Sequence, residues 1–218
     1  MIGIVTGFGA EAALFGAGPW RVATAGGRLD RAVAHARRMA DEGAVGLVSF
    51  GIAGGLEPGM RPGGLVIGDA VWSAGEVIAC APAWADRLAA ALPGARRGIV
   101  AAATDVVATA AAKAALRQAS GALAVDMESW GVARVAAERN LPFAVLRAVA
   151  DPAERALPPA AAEGLDAEGR VRLGAVLLSL AKDPTQLPGL IRVGLDTKAA
   201  LKGLAPAVAA LRYRAIGS

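Results

Sequence analysis

One cysteine, Cys80, and one histidine, His35, are all that the 218 residues contain of either type. A single thiol excludes a disulfide framework within the chain and fits a reducing compartment. A single imidazole excludes a histidine-based catalytic triad and a multi-histidine metal site, so no metal is expected. His35 falls in a polar-rich helical stretch and is expected at the surface. Aromatic residues make up only 4%, and the net charge of +4 comes from scattered arginines. A nucleic-acid surface needs basic residues clustered on one face and interleaved with aromatics, so no nucleic-acid partner is expected. The mild positive excess suits a small anion such as phosphate. The apolar N-terminus has no basic leader and is interrupted by Glu11, which argues against a signal peptide. The apolar run 44–56 is glycine-rich and short of the ~20 residues that cross a bilayer. The expected location is the cytoplasm. No internal repeat is present.

What the chain has in abundance is small apolar residues. It is 55% hydrophobic, enough for a large core in one domain. Short apolar runs at 2–6, 21–24, 45–50, 65–72, 98–103, 122–128 and 143–149 read as strands. Helical periodicity at 29–42, 83–92, 110–119, 129–140 and 166–182 falls between and after them. A helix is also expected to start within 10–15. This alternation predicts an α/β protein, a three-layer α/β/α sandwich around a mixed, partly barrel-like sheet. Pro184 and Pro188 mark a change of character. The chain is therefore divided into a catalytic domain, 1–183, and a basic amphipathic tail, 184–218. Leu187, Leu190, Ile191 and Leu195, then Leu201, Leu204, Val208 and Leu211, give the tail an apolar face; Arg192, Lys198, Lys202, Arg212 and Arg214 supply charge. Two roles fit it: a helix packed on the body, or a surface helix that meets a partner or a membrane.

Three acids follow strand-like runs: Glu11, Glu128 and Asp151. The last two flank one helix. If that strand–helix–strand is a parallel crossover, both carboxylates lie at the carboxyl edge of the sheet, where open α/β sheets bind ligands. Gly51-Ile52-Ala53-Gly54-Gly55 follows a buried strand and reads as a turn whose exposed N–H groups suit phosphate or a ribose oxygen. Arg28, after Gly26-Gly27, is placed to bring positive charge to the same edge or to begin a solvated helix. Asp126 suits a helix cap.

In order along the chain, these motifs resemble the nucleoside phosphorylase and nucleosidase superfamily. Ile2-Gly3-Ile4-Val5 with Glu11 resembles the opening of methylthioadenosine/S-adenosylhomocysteine nucleosidases. Phe50-Gly51-Ile52-Ala53-Gly54-Gly55-Leu56 and Gly63-Gly64-Leu65-Val66-Ile67-Gly68-Asp69 resemble their glycine turn and following strand. Val125-Asp126-Met127-Glu128-Ser129 and Arg147-Ala148-Val149-Ala150-Asp151 resemble their E-M-E and R-x-x-S-D segments. The resemblance implies an enzyme without a cofactor that cleaves the N-glycosidic bond of an adenine nucleoside and assembles as a homo-oligomer. It implies that Glu128 holds the ribose hydroxyls, that Met127, Gly54 and Val107 line the substrate site, and that Asp151 gives a proton to purine N7. Glu11 matches the acid that activates water; Gly51 and Arg28 would face phosphate.

Two departures matter. Phe50 and Ile52 stand where the family often carries hydroxyls, and Asp105-Val106-Val107 lacks the aromatic that stacks on the base. With the aliphatic body and the Leu187-Pro188-Gly189-Leu190-Ile191-Arg192 tail, they resemble the hopanoid-associated phosphorylases. That resemblance implies phosphorolysis of adenosylhopane, with inorganic phosphate as co-substrate and peripheral membrane contact through the tail. Hydrolysis by Glu11-activated water and a non-catalytic nucleoside- or lipid-binding role are the competing readings.

Overall fold

The computed structural model describes residues 1–162, 179 and 181–212. Its elements are β1 (Ile2–Thr6), α1 (Gly9–Ala12), β2 (Trp20–Thr24), α2 (Leu29–Asp41), β3 (Leu47–Gly55), β4 (Leu65–Ser73), β5 (Glu76–Ala79), α3 (Pro82–Ala91), β6 (Arg96–Ala102), α4 (Ala110–Ser120), β7 (Ala124–Asp126), α5 (Ser129–Glu138), β8 (Phe143–Asp151) and α6 (Pro159–Ala162). After a 3₁₀ turn at Pro184–Gln186 comes α7 (Leu187–Arg212). The helix expected over 166–182 lies almost wholly outside the described residues, as does Arg214.

The sheet is mixed, as expected, and it closes. β3 pairs with β8, β8 with β4, β4 with β6, β6 with β7, and β7 returns to β3. β3 makes this possible by its length. Nine residues extend about 30 Å, so one edge of β3 serves two neighbours. Residues 47–50 pair with β1, and Gly54 and Gly55 pair with β7. A register shift between Ala53 and Gly54 bends the strand where the neighbour changes, the usual effect of a bulge.

Two expectations are corrected here. The segment Gly51–Gly55 is not a turn but the second half of β3. β7 and β8 are not parallel: β8 runs with β3, whereas β7 runs against it. The strand–helix–strand unit is therefore no parallel crossover. Glu128 and Asp151 still converge, for another reason. Opposed strands meet the same stretch of β3: Val125 lies opposite Gly54, and so does Asp151.

Successive strand residues enter different cores, as in strands buried on both faces. Val5, Leu47 and Val145 join α2 and α5 through Ala32, Ala36, Val132 and Ala136. Ile4, Val48 and Leu146 join α3 and α7 through Leu88, Ala200, Leu204 and Ala207. The helices thus form two layers around the sheet. The second half of α7 packs on the body, whereas Leu187, Ile191 and Leu195 on its first half are exposed. Among the described residues no helix is long and apolar enough to cross a membrane.

Candidate active site

Glu11 is held by the backbone. It is the third residue of α1, and its Oε2 accepts from the N–H groups of Phe8 (2.8 Å) and Gly7 (2.7 Å). The Phe8 bond is the acidic half of a capping box. Oε1 accepts from the N–H of Ile52 on β3, 2.8 Å away. The side chain is 1% exposed. Burial pushes its pKa above the usual carboxylate range, against the pull of these three donors and of Arg147. A buried carboxylate of raised proton affinity is suited to take a proton from a nucleophile. Gly51 makes the arrangement possible: a Cβ there would stand 2.6 Å from Glu11 Oε1.

Glu128 follows β7 and is 5% exposed. A Cβ on Gly7 would stand 2.8 Å from its Oε1, so glycine again admits a carboxylate. Behind it lies a buried network. Arg147 on β8 donates through Nε to Asp126 Oδ2 (2.5 Å) and through Nη2 to Ser49 Oγ (2.5 Å), and its Nη2 lies 3.9 Å from Glu128 Oε2. Asp126 Oδ1 accepts from the Ser129 N–H at 3.2 Å and from its hydroxyl at 2.7 Å. The N-cap position of α5 is Glu128 rather than Asp126, but Asp126 satisfies the first N–H of the helix from two residues further back and anchors Arg147 as well. Burial, with Asp126 close by, pushes the Glu128 carboxyl up to about 7, although Arg147 opposes the rise.

Asp151 ends β8, and its partner escaped the sequence reading. Lys113, in α4, is fully buried, and its Nζ donates to Asp151 Oδ2, to Pro152 O (2.8 Å) and to Arg155 O (2.9 Å). Thr109 caps α4 by accepting from the Ala112 N–H (3.1 Å), which sets Lys113 in the first turns. The only signal in the sequence was one charge among six apolar neighbours, Ala110 to Leu116.

Glu11, Glu128, Asp151, Met127, Gly54 and Val107 all line one cavity of about 760 Å³. Asp105 and Asp126 also border it. Beyond them the lining is apolar: Leu157, Ala160 and Ala161, then Leu190, Val193 and Leu201 of α7, with Thr197 the polar exception on that helix. The structure separates two predicted residues from this group. Gly51 lies behind Glu11, and Arg28 binds Asp30 through Nε (3.0 Å) and Nη2 (2.8 Å). Among the described residues, none lining the cavity is lysine or arginine, and no group of His, Cys, Asp or Glu is placed to hold a metal ion.

Comparison with known proteins places this geometry in a family. A futalosine hydrolase of Streptomyces coelicolor is 39% identical over 125 residues, covering 49% of this chain and 53% of that enzyme. The chain thus spans about half the length of this relative. In fold, the chain resembles the 5′-methylthioadenosine/S-adenosylhomocysteine nucleosidase of Neisseria meningitidis, solved with methylthio-immucillin-A. The TM-score is 0.73 at 17% identity, over 96% of this chain and 97% of that one. The futalosine hydrolase of Helicobacter pylori gives a TM-score of 0.68 at 17% identity, over 95% and 97%. The sequence model of the Phosphorylase superfamily matches residues 22–181, a span that holds Glu128, Lys113, Arg147 and Asp151 together. On this match, the chain belongs to the Phosphorylase superfamily.

Proposed function

We propose that this protein cleaves the N-glycosidic bond of an adenine nucleoside whose 5′ position carries a bulky apolar group, adenosylhopane being the candidate substrate. One observation carries the reading: the buried acids Glu11 and Glu128 and the largely buried Asp151 line one cavity whose wall is otherwise mostly apolar. Glu128 grips the ribose hydroxyls. The bond from the anomeric carbon to the purine breaks, and its electron pair goes to the base. Asp151 gives its proton to purine N7, which burial favours by pushing its pKa up,. The oxocarbenium-like sugar lies among carboxylates, which favour developing positive charge. The apolar arm along α7 accepts the 5′ group, and the exposed Leu187, Ile191 and Leu195 on the same helix would let the enzyme draw such a substrate from a membrane surface.

Water is the nucleophile that this wall favours. Glu11 takes a proton from it as its oxygen attacks the anomeric carbon. Phosphate, expected from the resemblance to hopanoid-associated phosphorylases, would enter a cavity lined by carboxylates, with Arg28 engaged elsewhere. A second reading, hydrolysis of futalosine, is favoured by the likeness to the Streptomyces enzyme.

The test is purine release from three nucleosides, each with and without phosphate: a long-chain 5′-alkyl adenosine, 5′-methylthioadenosine and futalosine. Release that is fastest from the alkyl adenosine and indifferent to phosphate supports the proposal. Release that requires phosphate makes the reaction a phosphorolysis. Preference for futalosine replaces the substrate, and silence with all three removes the nucleosidase reading.

A further inference from the structure

Burying a lysine ammonium completely is costly unless every hydrogen finds an acceptor. Lys113 is 0% exposed, and its three hydrogens have three acceptors: Asp151 Oδ2 and the carbonyls of Pro152 and Arg155. Its position in the helix makes the placement more demanding. The Lys113 N–H bonds to Thr109 O at 3.0 Å, so the charge sits near the positive end of the α4 dipole, where a cation is disfavoured. Neutral donors would serve if the task were only to hold the chain after β8, since two of the acceptors are carbonyls. The ammonium is explained by the third acceptor, a carboxyl group that is itself only 16% exposed.

We propose that Lys113 is a positioning residue that sets the acid strength of Asp151. The inference rests on the reading of Asp151 as the acid at purine N7. Lys113 occupies Oδ2 and leaves Oδ1 to the substrate. When the glycosidic bond breaks, the proton on Asp151 passes to N7 and the electron pair of the bond goes to the purine. The carboxylate that remains is formed against a fixed ammonium, which keeps all three of its hydrogens and is not consumed. Two opposed influences result: burial keeps a proton on Asp151, and Lys113 lowers the cost of releasing it.

The other charges facing Asp151 offset one another. Arg155, in the loop after β8, pairs with Asp196 of α7, and the two act on Asp151 in opposite senses. Asp105, between β6 and α4, shares the cavity wall. Lys113 is the charge in direct contact.

The experiment compares pH–rate profiles for purine release from the 5′-alkyl adenosine by wild type, Lys113→Met, Lys113→Gln, Lys113→Arg and Asp151→Asn. The alkaline limb reports loss of the proton on the acid. Removing an opposite charge at contact distance should carry that limb to higher pH by about 1–3 units in Lys113→Met, with KM little changed. Lys113→Arg keeps the charge and should keep the limb in place. Lys113→Gln keeps donors without charge and should move the limb; it carries the test if the methionine variant does not fold. Asp151→Asn should abolish the limb together with most turnover. An unmoved limb in Lys113→Gln, with Asp151→Asn inactive, overturns the role of Lys113 alone. Wild-type turnover in Asp151→Asn overturns the reading of Asp151, and the inference falls with it.

Discussion

Replacing Glu128 by glutamine converts a buried carboxylate into a neutral isostere, and the structure specifies how stability should respond to pH. In the unfolded chain Glu128 titrates near 4.5; in the fold, burial and the neighbouring Asp126 push it up to about 7. Below the first value the group is protonated in both states and its contribution is fully present. Between the two values the unfolded chain releases a proton that the folded protein keeps, so stability falls as pH rises; above about 7 the contribution is gone. A displacement of this size corresponds to about 3 kcal/mol. The side chain is only 6% exposed, so solvent screening reduces it little. Glu128→Gln should therefore match wild type near pH 4.5 and gain about 3 kcal/mol on it by pH 8, while losing most of its turnover. Urea unfolding of both proteins across this range measures the difference. If the two stability curves stay parallel, Glu128 is not held in a proton-retaining environment, and the electrostatic account of the site is wrong.

Three further outcomes follow from named contacts. Gly51→Ala places a methyl 2.6 Å from the Glu11 carboxylate; displacement of the proposed base should cost about 10²-fold in kcat, and a rate within twofold of wild type would show that Glu11 tolerates the shift. Arg147→Met leaves Asp126 buried without its partner, both side chains being 1% exposed; urea unfolding should show a loss of about 3–5 kcal/mol, and a loss below about 1 kcal/mol would refute the network. Wild type should co-sediment with phosphatidylglycerol vesicles, and a Leu187→Ser, Ile191→Ser, Leu195→Ser variant should not; sedimentation unchanged by the triple substitution would remove α7 as the docking element.

Much of the architecture was legible because local patterns coincide with it. The run at 2–6 is β1, and the periodic stretch from Leu29 matches α2 to within one residue. What escaped depended on distant partners. Gly51–Gly55 reads as a turn because five residues with three glycines have little intrinsic strand preference. In the fold β8 and β7 supply its ladder, and the glycine at 51 gives room to Glu11. The sense of β7 was likewise illegible: strand–helix–strand describes parallel and antiparallel returns equally, and only the pairing of Gly54 with Val125 decides it. The convergence of Glu11, Glu128 and Asp151 was anticipated from their place after apolar runs, although the geometry that brings two of them together differs from the one expected. Lys113 was missed because a lysine in an alanine-rich helix normally faces water; its burial depends on α4 meeting the chain after β8.

The division of the cavity wall has a consequence for how the protein can change. The carboxylates proposed to react come from α1, from the segment just after β7 and from β8, whereas α6, α7 and Leu157 add a further, mostly apolar part of the lining. On the proposed reading, bond breaking and substrate choice belong to separate stretches of chain. On that reading a lineage could exchange the helix proposed to meet the 5′ group while inheriting the proposed cleavage residues intact, and a chimaera carrying α7 from a relative should acquire that relative's preference at an unaltered pH optimum.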